Sequence, residues 1–491
     1  MNKFYITTSI AYTNALPHLG YALELVLADV LARYHKILGQ DVFFLTGTDE
    51  HGQKISKAAG LAGKDPEVFT DEISSKFKEL DRALNLSNDD FIRTTDQKKH
   101  WPAVQKAWQK LKESGDIYKK KYQGLYCVGC EAFITKKDLE DGQCKIHKKE
   151  PEIVEEENYF FKLSKYSKEI ERIIRSDGLK IIPEGKKNEM LSFISQGLED
   201  VSFSRPRKDL AWGIPVPDDN TQTVYVWADA LVNYISALDY PDGEKFKKYW
   251  PADIHCIGKD ILRFHATIWP GILLSLGLPL PKNILVHGFI TSGGQKMSKS
   301  LGNVVDPFEL VKKYSLAGSP QAGADAVRYF LLREIPTTED GDFTEEKFIE
   351  RYNADLAGGI GNLVARVITL AMEFDIQSKI ASDVVHDSKI DQEIKKIKKD
   401  YNESLENFKL NEALILVWDL IRICDKYIND EKPWSLQAVK DKEKIDAVLG
   451  DLLSAISEIA GLVKPFLPET SEKILKQLQS LKSEPLFPRF K

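Results

Sequence analysis

At 491 residues the chain is too long for one ordinary hydrophobic core and points to about two to four domains. Its composition, 43% hydrophobic and 29% charged, is that of a globular protein, and no run approaches the roughly 18 uncharged apolar residues of a membrane span. A net charge of −6 argues against a sequence-blind nucleic-acid coat, and "MNKFYITTSI" lacks the apolar core and cleavage site of a signal peptide, so a cytoplasmic location is expected.

Residues 1–115 read as strand, helix, strand, then helices. "FYITTSI" is a first buried strand, and "PHLGYALELVLADVLARYHKILG" (17–39) is an amphipathic helix with His18 at its mouth. In a doubly wound sheet, ligands sit beyond the carboxyl ends of the strands, which is where His18 falls. At a helix N-terminus the macrodipole opposes an imidazolium, so the ring would stay neutral and offer an N–H to a phosphate oxygen. Gly20 removes a side chain where a base or phosphate could approach, and Tyr21 lies on the same helical face as His18. Taken alone, His18 reads as a surface or capping residue. The segment "GLAGKD" (60–65) does not have the spacing of a phosphate-binding GxxxxGK[ST] loop. "VFFLTGTDEHG" (42–52) reads as a buried parallel strand ending in a functional polar tip.

Residues 116–215 are Lys-rich and turn-rich and read as an inserted module that splits the sheet. Three of the five cysteines lie here, as Cys127-x2-Cys130 followed, after thirteen residues, by Cys144-x2-His147. Three thiolates and an imidazole at that spacing suit a closed, tetrahedral structural Zn²⁺ site, not a disulfide framework. Cys256 and Cys424 stand apart and read as buried, inert thiols. "KKKYQGLY" (119–126) reads either as a contact for a nucleic-acid end or as a solvated basic turn.

Strand patterns return in residues 216–295, at "TVYVWADALV" (223–232), "DIHCIGKD" (253–260) and "KNILVHGFI" (282–290). In "TSGGQKMSKSLGN" (291–303), two glycines with hinge freedom precede Lys296 and Lys299, which on a mobile loop can follow charge developing on a phosphate chain. Residues 296–350 link this loop to a helical region, 351–491, that reads as a helix bundle. "GGIGN" within it reads as tight helix packing. Asn362 and Arg366 share one helical face, and Trp434 follows a helix-ending Pro433. Amide, guanidinium and indole supply the edge hydrogen bonds and stacking surface that single-stranded bases need, although Asn362 and Arg366 also read as a hydrogen bond within the bundle.

The segment His18-Leu19-Gly20-Tyr21 resembles the "HIGH" element of class I aminoacyl-tRNA synthetases, and Lys296–Ser300 is similar to their "KMSKS" element. With "FLTGTDEHG", "CVGC…CKIH", "YVWADALVNY", "GKDILRFHATIWP", "GNLVARV" and "EKPW", nearly the whole chain is similar to the methionyl-tRNA synthetase family. The resemblance implies a doubly wound, Rossmann-like parallel α/β sheet split by the zinc insertion, then an all-α anticodon-binding bundle. The implied activity is that of an ATP-dependent, AMP-forming ligase. L-Methionine and ATP give methionyl-adenylate and pyrophosphate, and methionine then passes to the 3′-terminal adenosine of tRNA(Met).

By the same resemblance, His18 and Lys299 stabilise the triphosphate, with Lys296 assisting and Mg²⁺ accompanying ATP. Gly258, Asp260, Val286, His287 and Gly288 lie along the nucleoside, and Asn14, Gly20 and Tyr21 near the phosphates. Ile10, Tyr12, Trp227, Ala230, Leu231, Tyr234, Phe264 and His265 surround the methionine side chain, and Asp49 holds its ammonium. Asn362, Arg366 and Trp434 read the CAU anticodon. Three departures stand out. Tyr21 replaces the second histidine of HIGH, and it cannot carry positive charge near neutral pH. "SLAGSPQAGAD" (315–325) is long for the family and is expected to protrude as a surface loop. The sequence ends after the bundle, without the dimerising tRNA-binding domain of some relatives, so a monomer with no stable protein partner and no membrane attachment is expected.

Overall fold

The structure is a computed structural model that describes residues 2–134, 138–146, 148–297, 302–315, 320–376 and 389–490. The chain forms two compact units. One comprises Met1–Pro17, His35–Glu79 and Ser87–His287; the other comprises His18–Tyr34, Leu80–Leu86 and Gly288–Lys491.

The first unit is built on a seven-stranded sheet in which every pairing is parallel. Its strands are β1 (Lys3–Thr8), β2 (Ala11–Tyr12), β3 (Asp41–Asp49), β4 (Asp90–Arg93), β5 (Lys180–Ile182), β6 (Ile254–Gly258) and β7 (Asn283–His287). The order is β5-β7-β6-β1-β3-β2, with β4 also pairing with β3. β3 shows why a parallel sheet forms. Val42, Phe43, Phe44 and Leu45 are all buried, so side chains pointing to both faces are covered. The sequence order reverses between β1 and β6, which makes their carboxyl ends the topological switch point where such sheets bind ligands. Thr8, Asp49, Gly258 and His287 are the last residues of β1, β3, β6 and β7.

Within 116–215, the strands Ile117–Cys127 and Glu152–Phe161 pair antiparallel over ten positions, flanked by Ala132–Ile134 and Val201–Ser202. The "KKKYQGLY" segment is therefore strand and not a turn, and Lys119 is ion-paired with Asp219 at 3.1 Å. The central sheet takes the chain back at β5, inside the segment expected to be inserted; three residues, KII, are too short to signal a strand. A second correction concerns "TVYVWADALV". Only its start belongs to a strand, Asp219–Val224, which pairs with Ser204–Pro206 and Pro215–Val216 outside the central sheet. Val226–Ala230 is helix. A short apolar run fits a buried strand and a buried helix equally, and tertiary packing chose the helix.

The second unit is mostly helical, as expected after residue 345. Its main helices are Leu410–Glu431, Lys442–Val463, Pro468–Ser480, Lys389–Glu406 and the continuous stretch Glu345–Glu373. Among the described residues this last stretch alone is long and apolar enough to cross a bilayer. Half of its apolar window is buried, including Leu363, Val367 and Ile368, and it serves as a core helix of the unit. In "GGIGN", a Cβ on Gly361 would lie 2.9 Å from the Leu356 carbonyl, a close approach that glycine allows. The expected 315–325 surface loop is corrected. Pro320 opens the helix Pro320–Glu334, and Ala322, Ala324 and Asp325 are buried. A Cβ on Gly323 would meet the Val311 carbonyl at 2.1 Å, so small residues here allow close packing. Residues 316–319 lie outside the described part.

The helix that starts at His18 is anchored within this second unit. Asp29, on that helix, pairs with Arg328 at 2.7 Å, both fully buried. The Arg328 guanidinium also donates to the carbonyls of Leu84, Pro465 and Phe466.

Candidate active site

In the first unit, residues expected to surround an amino-acid side chain form one aromatic cluster. Phe264 and His265 sit on a short π-helix, Phe264–Ile268, a wide turn that often marks functional sites. Trp227 stacks on Phe264 with centroids 3.9 Å apart and meets His265 edge-on at 6.2 Å. The hydrogen bonds define the tautomer of His265. Its Nδ1 lies 3.0 Å from the Ile261 carbonyl, an acceptor, so Nδ1 carries the proton and Nε2 accepts from the Tyr234 hydroxyl at 2.7 Å. Burial pushes His265 down to about 4, so the ring stays neutral at ordinary pH. Tyr234 is held further by a stack on His255 at 4.1 Å and by the Tyr5 hydroxyl, which donates to its carbonyl. Leu231 and Ala230 are buried beside it, and Ile10 packs against the same core. The wall is apolar, and its hydroxyl and imidazole are satisfied by each other.

Charge in the first unit gathers at the tip of β3. Burial, with Asp229 and Glu131 nearby, pushes the Asp49 carboxyl well above the usual range. Its one hydrogen bond described from the protein is a long one, 3.5 Å from the His51 N–H. Such a carboxylate gains from an incoming cation. Glu50 is taken up by Arg93 in a two-point ion pair at 2.7 and 2.8 Å. Tyr12 donates its hydroxyl to Glu131, whose other oxygen accepts the Lys54 N–H at 2.7 Å. A side chain at Gly52, φ +117, would run into both Tyr12 and Glu131. Asp229 binds two imidazoles at once, His51 Nδ1 at 2.7 Å and His100 Nε2 at 2.8 Å. Burial would raise Asp229, yet these histidines hold it below the ordinary carboxylate range. Sequence reasoning missed Glu131, Asp229, His51 and His100. The signal for two of them, His51 and Asp229, lay inside the segments "FLTGTDEHG" and "YVWADALVNY".

Of the expected nucleotide residues in the first unit, Gly258, Val286 and His287 are buried at the ends of β6 and β7, Asp260 is exposed and Asn14 half-buried. A Cβ on Gly258 would lie 2.8 Å from Asp260 Oδ1, so glycine here makes room for that carboxylate.

In the second unit, His18 is exposed immediately before the helix Leu19–Ile37, and Tyr21 is half-buried in its first turn. His18 Nδ1 accepts the Gly20 N–H at 3.1 Å, which leaves Nε2 as the N–H donor of the ring. Leu19 N–H donates to the Val305 carbonyl, tying the start of this helix to the segment after the lysine loop. That loop leaves a small sheet. Gly293 and Gly294, φ +61 and +75, close a two-residue hairpin between Ile290–Ser292 and Gln295–Lys296. Asp342 Oδ1 accepts from Gly294 N–H at 2.7 Å and the Thr291 hydroxyl at 2.6 Å. The two glycines thus form a turn that demands positive φ at both positions. Lys299 and the Lys296 side chain lie outside the described part. Gly288 has a packing reason of its own: a Cβ would meet the Glu339 carbonyl at 2.1 Å.

Farther along this unit, the Arg366 guanidinium lies 5.4 Å from the centre of the Trp434 ring, which is 48% exposed. Arg366 also donates to Asn429 at 2.9 Å. Asn362 is exposed one turn earlier on the same helix.

In the zinc-spaced module of the first unit, the sulfurs of Cys127, Cys130 and Cys144 lie within 4.8 Å of one another. Cys130 and Cys144 sulfurs are 3.6 Å apart, too far for a disulfide. Two thiolates on one tetrahedral Zn²⁺ at about 2.3 Å would be separated by about 3.8 Å, so the spacing fits the metal. Cys130 N–H donates to Cys127 Sγ at 3.5 Å. His147 lies outside the described part.

Comparison with known proteins identifies the family. A family model described as "tRNA synthetases class I (M)" matches residues 4–138 and 130–368, and one described as "Anticodon-binding domain of tRNA ligase" matches residues 387–489. The chain is 44% identical to the methionine–tRNA ligase of Thermotoga maritima over 97% of its own length and 75% of that protein's. It is 41% identical to the methionine–tRNA ligase of Rickettsia felis, covering 99% of this chain and 94% of the other. The solved structure of Mycobacterium tuberculosis methionyl-tRNA synthetase in complex with methionyl-adenylate superimposes with a TM-score of 0.92 at 35% identity, covering both chains fully. The chain belongs to the methionine–tRNA ligase family of class I tRNA synthetases.

Proposed function

We propose that this enzyme activates L-methionine with ATP and transfers it to the 3′-terminal adenosine of tRNA(Met). The observation that carries the substrate choice is the Tyr234–His265 pair beside the stacked Trp227 and Phe264. A thioether offers no strong hydrogen bond, so its site must be shaped and apolar, with polar groups that are already paired. A free donor would favour a hydroxyl- or amide-bearing amino acid. Ile10, Tyr12, Ala230 and Leu231 complete this pocket, and Asp49, short of partners and pushed up by burial, takes the α-ammonium.

The methionine carboxylate oxygen then attacks the α-phosphorus of ATP, the bond to the β-phosphate oxygen breaks, and pyrophosphate leaves. His18 donates through Nε2–H to the phosphates, and Lys299 and Lys296 follow the charge that builds on the leaving pyrophosphate. Tyr21 adds one uncharged hydrogen bond. Gly20 and Asn14 border the phosphates; Gly258, Asp260, Val286, His287 and Gly288 border the nucleoside. Mg²⁺ bound with ATP would offset part of the triphosphate charge. In the second step the terminal ribose hydroxyl attacks the adenylate carbonyl and AMP leaves. Cys127, Cys130, Cys144 and His147 would hold a Zn²⁺ whose part would be structural, shaping the module around them. Asn362, Arg366 and Trp434 read the anticodon.

The organisation proposed is a catalytic domain of 1–115 and 216–295, joined by the sheet strand Lys180–Ile182 from within 116–215, a zinc module in the rest of 116–215, a linking region of 296–350 and an anticodon domain of 351–491, in a cytoplasmic monomer. Methionine-dependent exchange of pyrophosphate into ATP, followed by charging of tRNA(Met), tests the reading. Exchange driven equally by leucine or isoleucine would overturn the substrate assignment.

A further inference from the structure

Asp229 stands on the short helix Val226–Ala230, between Trp227 and Ala230 of the proposed pocket, and is wholly buried. Its two oxygens reach different parts of the fold. Oδ2 takes the Nδ1–H of His51, two residues beyond Asp49, and Oδ1 takes the Nε2–H of His100, at the start of the helix His100–Glu113. Neither histidine is exposed. His51 Nε2 is buried without a hydrogen-bond partner among the described residues, so Asp229 holds the one hydrogen bond described for this ring, beside ring contacts with Trp101 and Trp212. His100 has a second anchor: its Nδ1 lies 2.8 Å from Ser236 Oγ. Ser236 in turn has a second acceptor within reach, the Asn233 carbonyl at 3.3 Å.

We propose that Asp229 is a positioning residue for methionine binding, holding the helix of Trp227 and Ala230 in register with the strand tip of Asp49 by gripping His51 and His100 together. The inference rests on the methionine-pocket reading above. A buried carboxylate with one imidazole would be a local ion pair. Gripping two, from 129 and 178 residues away in sequence, ties the ammonium end of the pocket to its side-chain end. Position, and not the negative charge, is what the pocket uses.

The chemistry of the second anchor makes this testable. In Asp229→Asn the amide oxygen still accepts from His51, while the amide NH2 faces His100. His100 can meet it in its other tautomer, accepting at Nε2 and donating Nδ1–H to Ser236 Oγ, whose own hydroxyl turns to Asn233. Asp229→Asn should therefore keep the grip, Asp229→Ala should lose it, and Asp229→Asn with Ser236→Ala should lose it too. Ser236→Ala alone should be mild, because His100 still donates to Asp229.

The measurement is methionine-dependent pyrophosphate exchange, with KM for methionine and for ATP determined separately, and melting temperature followed in parallel. Asp229→Ala should raise the methionine KM about tenfold or more, with ATP KM nearly unchanged. Asp229→Asn should restore most of it, and the double variant should forfeit that rescue. If Asp229→Asn fails as badly as Asp229→Ala, charge is what matters and the proposal falls. It also falls if both KM values rise together with a lowered melting temperature, or if Ser236→Ala does not alter the Asn rescue. Should Asp229→Ala not fold, the Asn single and double variants still decide. Absence of methionine-dependent exchange in the unsubstituted enzyme would overturn the function reading instead.

Discussion

His18 Nδ1 accepts the backbone N–H of Gly20, two residues on, at 3.1 Å. This bond turns the imidazole into a donor at Nε2 alone, which is the polarity a phosphate oxygen requires. It also explains the glycine, since a Cβ at position 20 would sit 3.0 Å from both Cε1 and Nδ1 of the ring. Gly20→Ala should displace the imidazole and slow adenylate formation by about tenfold or more, the loss of one directed hydrogen bond to the transition state. Methionine affinity measured by calorimetry should be unaltered; a variant with normal exchange rates would show that His18 does not work through this geometry.

Tyr21 lies half-buried in the first turn of that helix, at the position that the resemblance to the HIGH element gives to its second histidine. Tyr21→Phe should cost about ten- to a hundredfold in activation rate by removing one phosphate bond. Tyr21→His should match or exceed the original rate. A harmless Phe and an inactive His would make Tyr21 a packing residue.

His265 gives the protein a defined acid sensitivity. Its folded value, about 4, lies below the ordinary 6.5, because burial disfavours the cation. The unfolded chain therefore binds the proton first as pH falls, and stability drops between about 6.5 and about 4 by about 1.4 kcal/mol per pH unit. Above that window the contribution is complete. Denaturant melts of the enzyme and of His265→Gln at several pH values check this. The variant should be less stable at neutral pH and lose less on acidification.

Metal analysis of enzyme purified without chelators should find one zinc per chain. Removing it should loosen the module around Cys127, Cys130 and Cys144, seen as faster hydrogen exchange there, while the central sheet stays protected, because the site is local. Zinc-free protein with unchanged exchange in that module would contradict the assignment.

Arg366 and Trp434 form a guanidinium–indole pair with half of the indole in solvent. Trp434→Ala should weaken charging of tRNA(Met) by about 1–3 kcal/mol, the worth of one stacked base. Methionine-dependent pyrophosphate exchange without tRNA should not change. Equal effects on both reactions would point to a folding role.

What could be read from the sequence were features encoded within a few consecutive residues. The Cys-x2-Cys and Cys-x2-His spacing, the His18–Gly20 step, the Asn362–Arg366 face and the buried run of β3 are each local, because helix and strand periodicities and ligand spacings operate over short distances. The switch between strand and helix at "TVYVWADALV" was not legible, since an apolar run carries no period that separates the two when both faces are covered. The helix at Pro320–Glu334 was hidden for a related reason: its burial against Val311 depends on partners outside the segment. Above all, Asp229 with His51 and His100, and Tyr12 with Glu131, join residues up to 178 positions apart. Nothing local distinguishes a buried Asp that grips two imidazoles from one that faces water. Only the folded chain brings the donors to the acceptor, and the cost of burying an unpaired charge makes that pairing obligatory.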